Sequence, residues 1–369
     1  MLSTIRLSLL ALVAPALMLS AAACVQPKSV EHSKEPTGNT LNGLAADWQV
    51  RAAGYLEKRA AGWLVSPPPI SNVKCAMSCH TTFPYLMARS TLAPFAITPA
   101  ADQTRAVFEA RVDEAVAGTA IAFYGKNNDD RVVQSLATEA VLNAAALALD
   151  DTGAGKPLTT KSKSALELMW SKQRPEGTWA WLEFGLEPWE TRNDFGAALA
   201  ALVVGSIPPG STETQAAGTT KLVGYVQARL PSMVLHDRAM VLYASGKLTT
   251  LLNAGQADAI ASALAATQLP DGGFSLGAWG QGAQATQVAQ TSDGYATSLA
   301  VLALCTGIPG GTKSPFVVQG LHWLAQNQAD DGSWPGQSVN DTTAQTKAFM
   351  TDAATAYAAI AITRCSLGK

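Results

Sequence analysis

One short pattern recurs three times in this chain and constrains its fold more than any other feature. Each copy begins with glutamine, passes through a polar turn that contains glycine, and ends in an aromatic residue. The copies are QRPEGTW at 173–179, QLPDGGF at 268–274 and QADDGSW at 328–334. Each closes an alanine- and leucine-rich stretch with helical periodicity and precedes another such stretch. Recurrence at this spacing predicts a closed or stacked array of similar helical units.

Six helix pairs follow from this repeat. The second helix of each pair is expected to begin near a polar residue and to continue into small and aliphatic residues. The assigned starts are His80, Glu139, Asp194, Asp237, Asp293 and Asp352. The alanine-rich second helices can approach closely and should form an inner ring, whereas the amphipathic first helices, such as 165–172 and 319–327, should lie outside. The sequence therefore predicts an all-α (α/α)6 toroid, in one domain over residues 44–369.

The glutamine pattern resembles that of a known superfamily. Residues 320–334, GLHWLAQNQADDGSW, are similar to the QW motif of squalene-hopene cyclases, and residues 165–179 match in the same register. The resemblance implies the toroid shared by squalene cyclases and protein prenyltransferases, with each glutamine bonded to backbone groups of neighbouring helices. The chain lacks the Asp-x-Asp-Asp run of triterpene cyclases and the Asp, Cys and His zinc ligands of prenyltransferases. We expect a relative with another activity.

The N-terminus has the features of an export signal. An apolar run at 7–19 follows Arg6, and the small residues directly before Cys24 resemble a bacterial lipobox. We expect residues 1–23 to be a signal peptide, Cys24 to be lipidated, and residues 24–43 to be a flexible tether. Simple cleavage at the same bond is the alternative. The predicted location is the bacterial cell envelope, facing the periplasm or on the outer membrane, with the membrane surface as a partner.

The segment CAMSCH, from Cys75 to His80, is a second local signal. Cys-x-x-Cys-His attaches c-type haem through two thioethers, and the histidine ligates iron. Here one extra residue separates Cys75 from Cys79, as in variant attachment sites. Three interpretations stay open. They are covalent haem c with His80 as a ligand of the haem iron, a disulfide between the two cysteines with His80 capping a helix, and a reactive thiolate at a helix N-terminus. A second disulfide can join Cys305 to Cys365.

Aromatic and acidic side chains crowd residues 179–194, before the third inner helix. Three tryptophans, three glutamates and an aspartate exceed what a helix connection requires. Indole faces beside carboxylates suit a sugar ring or a cationic intermediate. Acid/base candidates are Glu190, Asp194 and His80, and substrate-binding candidates are Trp181, Trp189 and Tyr295. The alternative is that the tryptophans pack a helix cap while the acidic groups remain solvated or balance helix dipoles.

Composition narrows the function classes. The net charge is −2, so the chain has no basic surface typical of nucleic-acid binding. The polar residues at the inner-helix starts can be ordinary N-caps, or they can converge at one mouth of the toroid and form a concave site with apolar walls. We therefore predict binding of a small molecule, lipid or glycan there, with acid/base or lyase chemistry as an extension. The alternative from a different class is a c-type haem protein for electron transfer or sensing.

Overall fold

The computed structural model of the chain describes residues 41–65, 77–96, 98–127, 129–280 and 282–366. All of these residues fall in one compact unit that spans Pro36–Lys369. The predicted signal peptide, Cys24, most of the predicted tether, and Cys75 lie outside the described residues.

Thirteen α-helices, numbered in chain order, make up the described part of the chain. They are α1 Trp48–Val65, α2 Thr82–Leu92, α3 Ala100–Val116, α4 Asp130–Gly153, α5 Thr160–Ser171, α6 Asn193–Ser206, α7 Gln215–Arg229, α8 Leu235–Ser245, α9 Ala254–Ala265, α10 Ala285–Val288, α11 Gly294–Gly307, α12 Pro315–Gln326 and α13 Ala344–Cys365.

Six of these helices form a closed inner ring. Helix α2 contacts α4, and the contacts continue through α6, α8, α11 and α13, which returns to α2. Helices α1, α3, α5, α7, α9 and α12 pack around this ring, so the predicted (α/α)6 toroid is confirmed. The inner helices are buried on nearly all sides, because alanine and glycine leave room for close approach. In α6, for example, every residue from Asp194 to Val204 is buried.

The three recurrent glutamines join successive repeats. Each side-chain amide donates one hydrogen bond to the glycine carbonyl of its own turn and one to a carbonyl in the next outer helix. The second acceptors are Gly218 for Gln173, Phe316 for Gln268 and Trp48 for Gln328, at 2.9, 2.9 and 3.1 Å. The last of these bonds links the sixth repeat to the first. These amides satisfy carbonyls at both ends of a repeat junction, as predicted.

Glycine is required in these turns for two reasons. Gly177 has φ +104° and Gly332 has φ +91°, a region that side chains rarely adopt. A Cβ atom on either residue would also lie within about 2.2 Å of a backbone oxygen of the next outer helix. The turn therefore packs directly on the neighbouring repeat, which explains why glycine recurs there.

Two inner helices begin earlier than the sequence indicated. Helix α4 begins at Asp130 and α13 at Ala344, so Glu139 and Asp352 lie well inside helices. Asp129 and Thr343 are the actual N-caps, since their side chains accept hydrogen bonds from the backbone of the first turn. His80 does not cap α2. Thr81 occupies the N-cap position without a capping side-chain bond, and Ser78 Oγ accepts hydrogen bonds from the backbone N–H groups of Thr81 and Thr82.

A disulfide ties the ends of two inner helices together. Cys305 near the end of α11 and Cys365 at the end of α13 are bonded, with 5.9 Å between their Cα atoms. This pairing confirms the sequence prediction.

Within the described residues α4 alone has the length and apolarity of a membrane span, and 72% of that stretch is buried inside the toroid. Its apolarity is that of a core helix.

Candidate functional site

A cavity of about 360 Å³ lies at the end of the ring where the inner helices begin. Its walls come from the segment before α2, the first half of α4, the loop before α6, and the start of α13. This volume lies at the lower end of the range for sites that bind small organic molecules. The predicted concave site at the toroid mouth is thus present, on the side of the first, second, third and sixth repeats.

The cavity wall is mainly aromatic. The described aromatic lining residues are Trp63, Phe123, Tyr124, Trp181, Phe184, Trp189 and Phe349. Three carboxylates also line it, Glu139, Glu187 and Glu190, together with His80. The described lining residues include no lysine or arginine. A few polar groups in an otherwise apolar wall are the usual pattern of a ligand-binding pocket.

The loop over residues 179–194 forms one wall of the cavity and is held by its own tryptophans. The Trp181 indole donates to the carbonyl of Trp189 at 2.5 Å, and its backbone N–H donates to the Asn193 side chain at 2.9 Å. Trp181 packs on Gly196 of α6, where a Cβ atom would lie 2.3 Å from the indole ring. The glycine in α6 therefore lets this tryptophan reach the cavity wall.

The connection before α13 closes over the same loop. Asn340 accepts a hydrogen bond from the backbone N–H of Glu187 at 2.9 Å and donates one to its carbonyl at 2.7 Å. Ser338 and Thr346 from this connection and the start of α13 also line the cavity. The two loops thus form a single hydrogen-bonded cover on one side of the cavity.

His80 is held in one tautomer. Thr81 Oγ1 donates its only proton to Asp352 at 2.6 Å, because this carboxylate already accepts two hydrogen bonds from the Arg59 guanidinium. The Thr81 oxygen must therefore accept from His80 Nδ1, 3.0 Å away. Nε2 then carries the lone pair, and no described residue hydrogen-bonds to it. Burial, with a smaller effect of Arg59, lowers the pKa of His80 to about 3, so the ring is neutral.

Aromatic rings surround the His80 imidazole. Phe349 stacks on it with 3.8 Å between ring centroids, and Trp63 meets it edge-on at 5.0 Å. The Trp189 ring lies 6.3 Å away. These contacts fix the ring orientation, and His80 remains part of the cavity wall.

Glu190 lies in the same cavity. Cys79 Sγ donates a hydrogen bond to its Oε1 over 3.4 Å, and no described cation lies within ion-pair distance. Burial raises the pKa of Glu190, while the Cys79 thiol and the more distant Arg131 partly offset that effect. The structure therefore brings together Glu190, His80, Trp181 and Trp189, which the sequence analysis assigned to one site, and it places Cys79 beside them.

Tyr295 lies behind the cavity wall. Its side chain is fully buried, and its hydroxyl accepts a hydrogen bond from the Trp189 indole at 2.9 Å. The hydroxyl lies 3.0 Å from His236 Nε2, and His236 Nδ1 lies 2.9 Å from the Asp237 carboxylate. Since the carboxylate can only accept, Nδ1 carries a proton, while Nε2 is hydrogen-bonded to the Tyr295 hydroxyl. Tyr295 supports Trp189 rather than lining the cavity itself.

Asp194 is not part of the cavity, in contrast to the sequence prediction. Its carboxylate accepts hydrogen bonds from the Tyr225 hydroxyl at 2.7 Å and from Arg229 at 2.9 Å, both on outer helix α7. Asp352 is held in the same way by the Tyr55 hydroxyl and Arg59 of α1. These paired carboxylates join inner to outer helices, so the expected ring of polar groups does not converge on one opening.

The residues that line the cavity have some features of a haem site and lack others. His80 Nε2 has the free lone pair that an iron ligand needs, and Cys79 lies beside it. However, the Cys79 sulfur is directed at Glu190, and the described lining residues offer three carboxylates and no cation for two haem propionates. These residues do not fit haem well. No three described His, Cys, Asp or Glu side chains are grouped as a metal site.

Several cavity residues were not predicted. Phe349 lies in α13 and Phe123 in a loop before α4, far from the aromatic loop in sequence. Thr81 was also missed, although it directly follows His80 and fixes its tautomer. Only the tyrosine and arginine residues that bind the inner-helix aspartates have a recognisable sequence signal. It is the pattern Tyr-x-x-x-Arg, which occurs at Tyr55 and at Tyr225.

Comparison with known proteins supports the fold. No family model matches the chain, and no curated protein matches its sequence. Among solved structures, the type II terpene cyclase MstE from Scytonema is similar. A variant bound to geranylgeranyl dihydroxybenzoate matches with TM-score 0.54 and 12% identity, over 88% of this chain and 99% of that one. The apo form matches with TM-score 0.53 and 11% identity, over the same shares of the two chains.

A polysaccharide lyase gives a TM-score of 0.49 at 14% identity, over 87% of this chain and 99% of the other. At these identities the likeness concerns the fold alone. The chain therefore has the α/α toroid fold that type II terpene cyclases also have.

Proposed function

We propose that this toroid binds a small organic molecule, a lipid or a glycan, in the cavity beside His80. The observation that carries the proposal is the free Nε2 of His80, held in one tautomer by Thr81 in the wall of an aromatic cavity. A lone pair in such an environment is an acceptor for one hydroxyl or N–H group of a ligand. The aromatic rings bind the apolar part of the same ligand.

His80 is suited to binding more than to proton removal. Its pKa, lowered to about 3, makes the imidazole a weak base, and efficient general bases have a pKa near the working pH. Acid/base or lyase chemistry at His80 therefore requires that the bound ligand raise this pKa, for example by developing negative charge near Nε2. Glu190 is the second polar group that can contact the ligand.

The test uses the neutral fluorescent probe N-phenyl-1-naphthylamine, which has one N–H donor and two aromatic groups. We expect saturable binding with a Kd on the order of 10 μM. Phe349→Ala removes a cavity ring and should weaken binding at least fivefold, whereas Phe316→Ala, on outer helix α12, should leave it unchanged. Absence of saturable binding, or equal effects of the two variants, would contradict the proposal.

The haem alternative predicts a coloured protein. Covalent haem on Cys75 and Cys79 would give a pyridine haemochrome spectrum and the mass of haem in the intact protein, after expression with attachment machinery. We propose that the protein is colourless, because the described lining residues provide no cation for the propionates. A haemochrome spectrum would replace the binding proposal with an electron-transfer or sensing function.

We also propose that the protein is exported and attached to the bacterial cell envelope through lipidated Cys24. The support is the apolar segment followed by small residues and cysteine. Labelling with radioactive palmitate should mark the wild-type chain and not a Cys24→Ala variant. Equal labelling of the two would exclude Cys24 as the acceptor.

A further inference from the structure

The charges in the cavity wall are unbalanced. Two of the three glutamates have an arginine partner. Arg111 of α3 contacts both oxygens of Glu139, at 2.6 and 2.8 Å, and Arg192 contacts Glu187 at 2.6 Å. These two pairs are neutral overall, so they add little net field inside the cavity.

Glu190 is the carboxylate that the described cations leave unmatched. Its hydrogen-bond donor is the Cys79 thiol, a weak and uncharged one, at 3.4 Å. Arg131, the cation that acts on it from further away, lies over the Phe184 ring at 4.3 Å and bonds to Gln134. Removing a carboxylate from water without a cation is costly, so this position favours a ligand that supplies one.

Aromatic rings of the cavity that Glu190 lines provide the second part of a cation site. Trp63, Phe349 and Trp189 lie within 6.3 Å of the His80 ring, counted between centroids, and all three line the cavity. Indole and phenyl faces attract a cation through their negative π surface, and substituted ammonium groups are bound in such aromatic cages. His80 is neutral and does not repel a positive charge.

We propose that the ligand carries a substituted ammonium group, which binds in the cavity against its aromatic wall with Glu190 as its counter-ion. This inference rests on the proposed function, because it names the chemical class of the ligand in the same cavity. It differs from the sequence prediction, which left lipid, glycan and small molecule open. A ligand with an ammonium head and an apolar body satisfies both the unmatched carboxylate and the aromatic wall.

The test compares two probes of the same shape. Choline carries a trimethylammonium group, and 3,3-dimethylbutan-1-ol replaces its nitrogen by carbon. Calorimetric titration should show choline binding at least tenfold more tightly than the neutral alcohol. Glu190→Gln should lower the choline affinity to that of the alcohol. Glu183→Gln removes an exposed carboxylate of the same loop, outside the cavity, and should change neither affinity.

The outcomes separate the two proposals. Equal affinity for choline and the alcohol, or an unchanged choline affinity in Glu190→Gln, overturns the ammonium assignment. If N-phenyl-1-naphthylamine still binds in the wild type, the proposed cavity function stands while the ligand class is wrong. If none of the three probes binds, both the ligand class and the proposed function fall. Circular dichroism of each variant shows whether a loss of affinity reflects loss of folding.

Discussion

The two histidines at inner-helix starts, His80 and His236, have similar positions and opposite surroundings. His80 precedes α2 and His236 lies in the first turn of α8. Both donate from Nδ1, to Thr81 and to Asp237 respectively. His236 Nε2 is occupied by Tyr295, at 3.0 Å, whereas no described group occupies His80 Nε2. The same toroid position therefore serves packing in one repeat and leaves a free acceptor in another.

This difference shows how a repeat architecture gives rise to a single site. In repeat four the space above the histidine is filled by Tyr295, and Tyr295 in turn holds the Trp189 indole. In repeat one the corresponding space is the cavity, with Phe349 and Trp63 around the imidazole. The hydrogen bonds from His236 to Tyr295 and from Trp189 to Tyr295 hold Trp189, which forms part of the cavity wall. His80 lines the same cavity directly, so the two histidines contribute to it in different ways.

Replacing each histidine by alanine should separate the two roles most strongly. His236→Ala removes the hydrogen-bond partner of the buried Asp237 carboxylate and one of the partners of the Tyr295 hydroxyl, and should lower the free energy of unfolding by about 3 kcal/mol. His80→Ala should cost about 1 kcal/mol, because Nε2 has no described partner to lose. Urea unfolding measures both, with exposed His322→Ala as a control that should stay within about 0.5 kcal/mol of wild type. Equal losses of unfolding free energy in His80→Ala and His236→Ala would contradict the distinction between the two histidines.

A pH titration of stability sharpens the comparison for His80. Burial lowers the pKa of His80 to about 3 in the folded protein, against about 6.5 in the unfolded chain. Between about pH 6.5 and pH 4 only the unfolded chain takes up this proton, so the stability falls as the pH falls. Wild type should lose about 2 kcal/mol more than His80→Gln over this window, after allowance for partial solvent exposure. Parallel stability curves for wild type and His80→Gln would contradict the folded-state pKa.

Thr81 provides a smaller and more specific test. Thr81→Val removes the hydroxyl between His80 and Asp352 and should cost about 1–2 kcal/mol in unfolding free energy. It should also release the imidazole tautomer, which ¹⁵N NMR of labelled histidine detects. Thr81→Ser keeps the hydroxyl and should retain the wild-type tautomer. If Thr81→Val also retains it, another group fixes the ring.

The sequence predicted the repeat architecture because its signals are local. Each glutamine, its turn glycine and the adjacent helix lie within about ten residues, and the hydrogen bonds of Gln173, Gln268 and Gln328 follow from that pattern. The disulfide between Cys305 and Cys365 could also be predicted from the sequence, since both cysteines fall at the ends of predicted inner helices.

The site was only partly predictable, because its contacts cross the ring. Glu190 and His80 were identified by their unusual local composition. The exclusion of Asp194 depends on Arg229 and Tyr225, which lie in the next helix and compete for its carboxylate. Asp352 was taken for a helix start because a polar residue precedes an apolar run, yet α13 begins at Ala344, about two turns before that residue.

The most direct test of the central claim is ¹⁵N–¹H NMR of histidine side chains, with and without N-phenyl-1-naphthylamine. We predict that His80 is neutral in the free protein and that His80 and His236 both carry a proton on Nδ1. The probe should then shift the His80 Nε2 resonance strongly and leave that of His236 almost unchanged. A proton on His80 Nε2 in the free protein, or no response of His80 to saturating probe, would contradict the assignment of this cavity as the binding site.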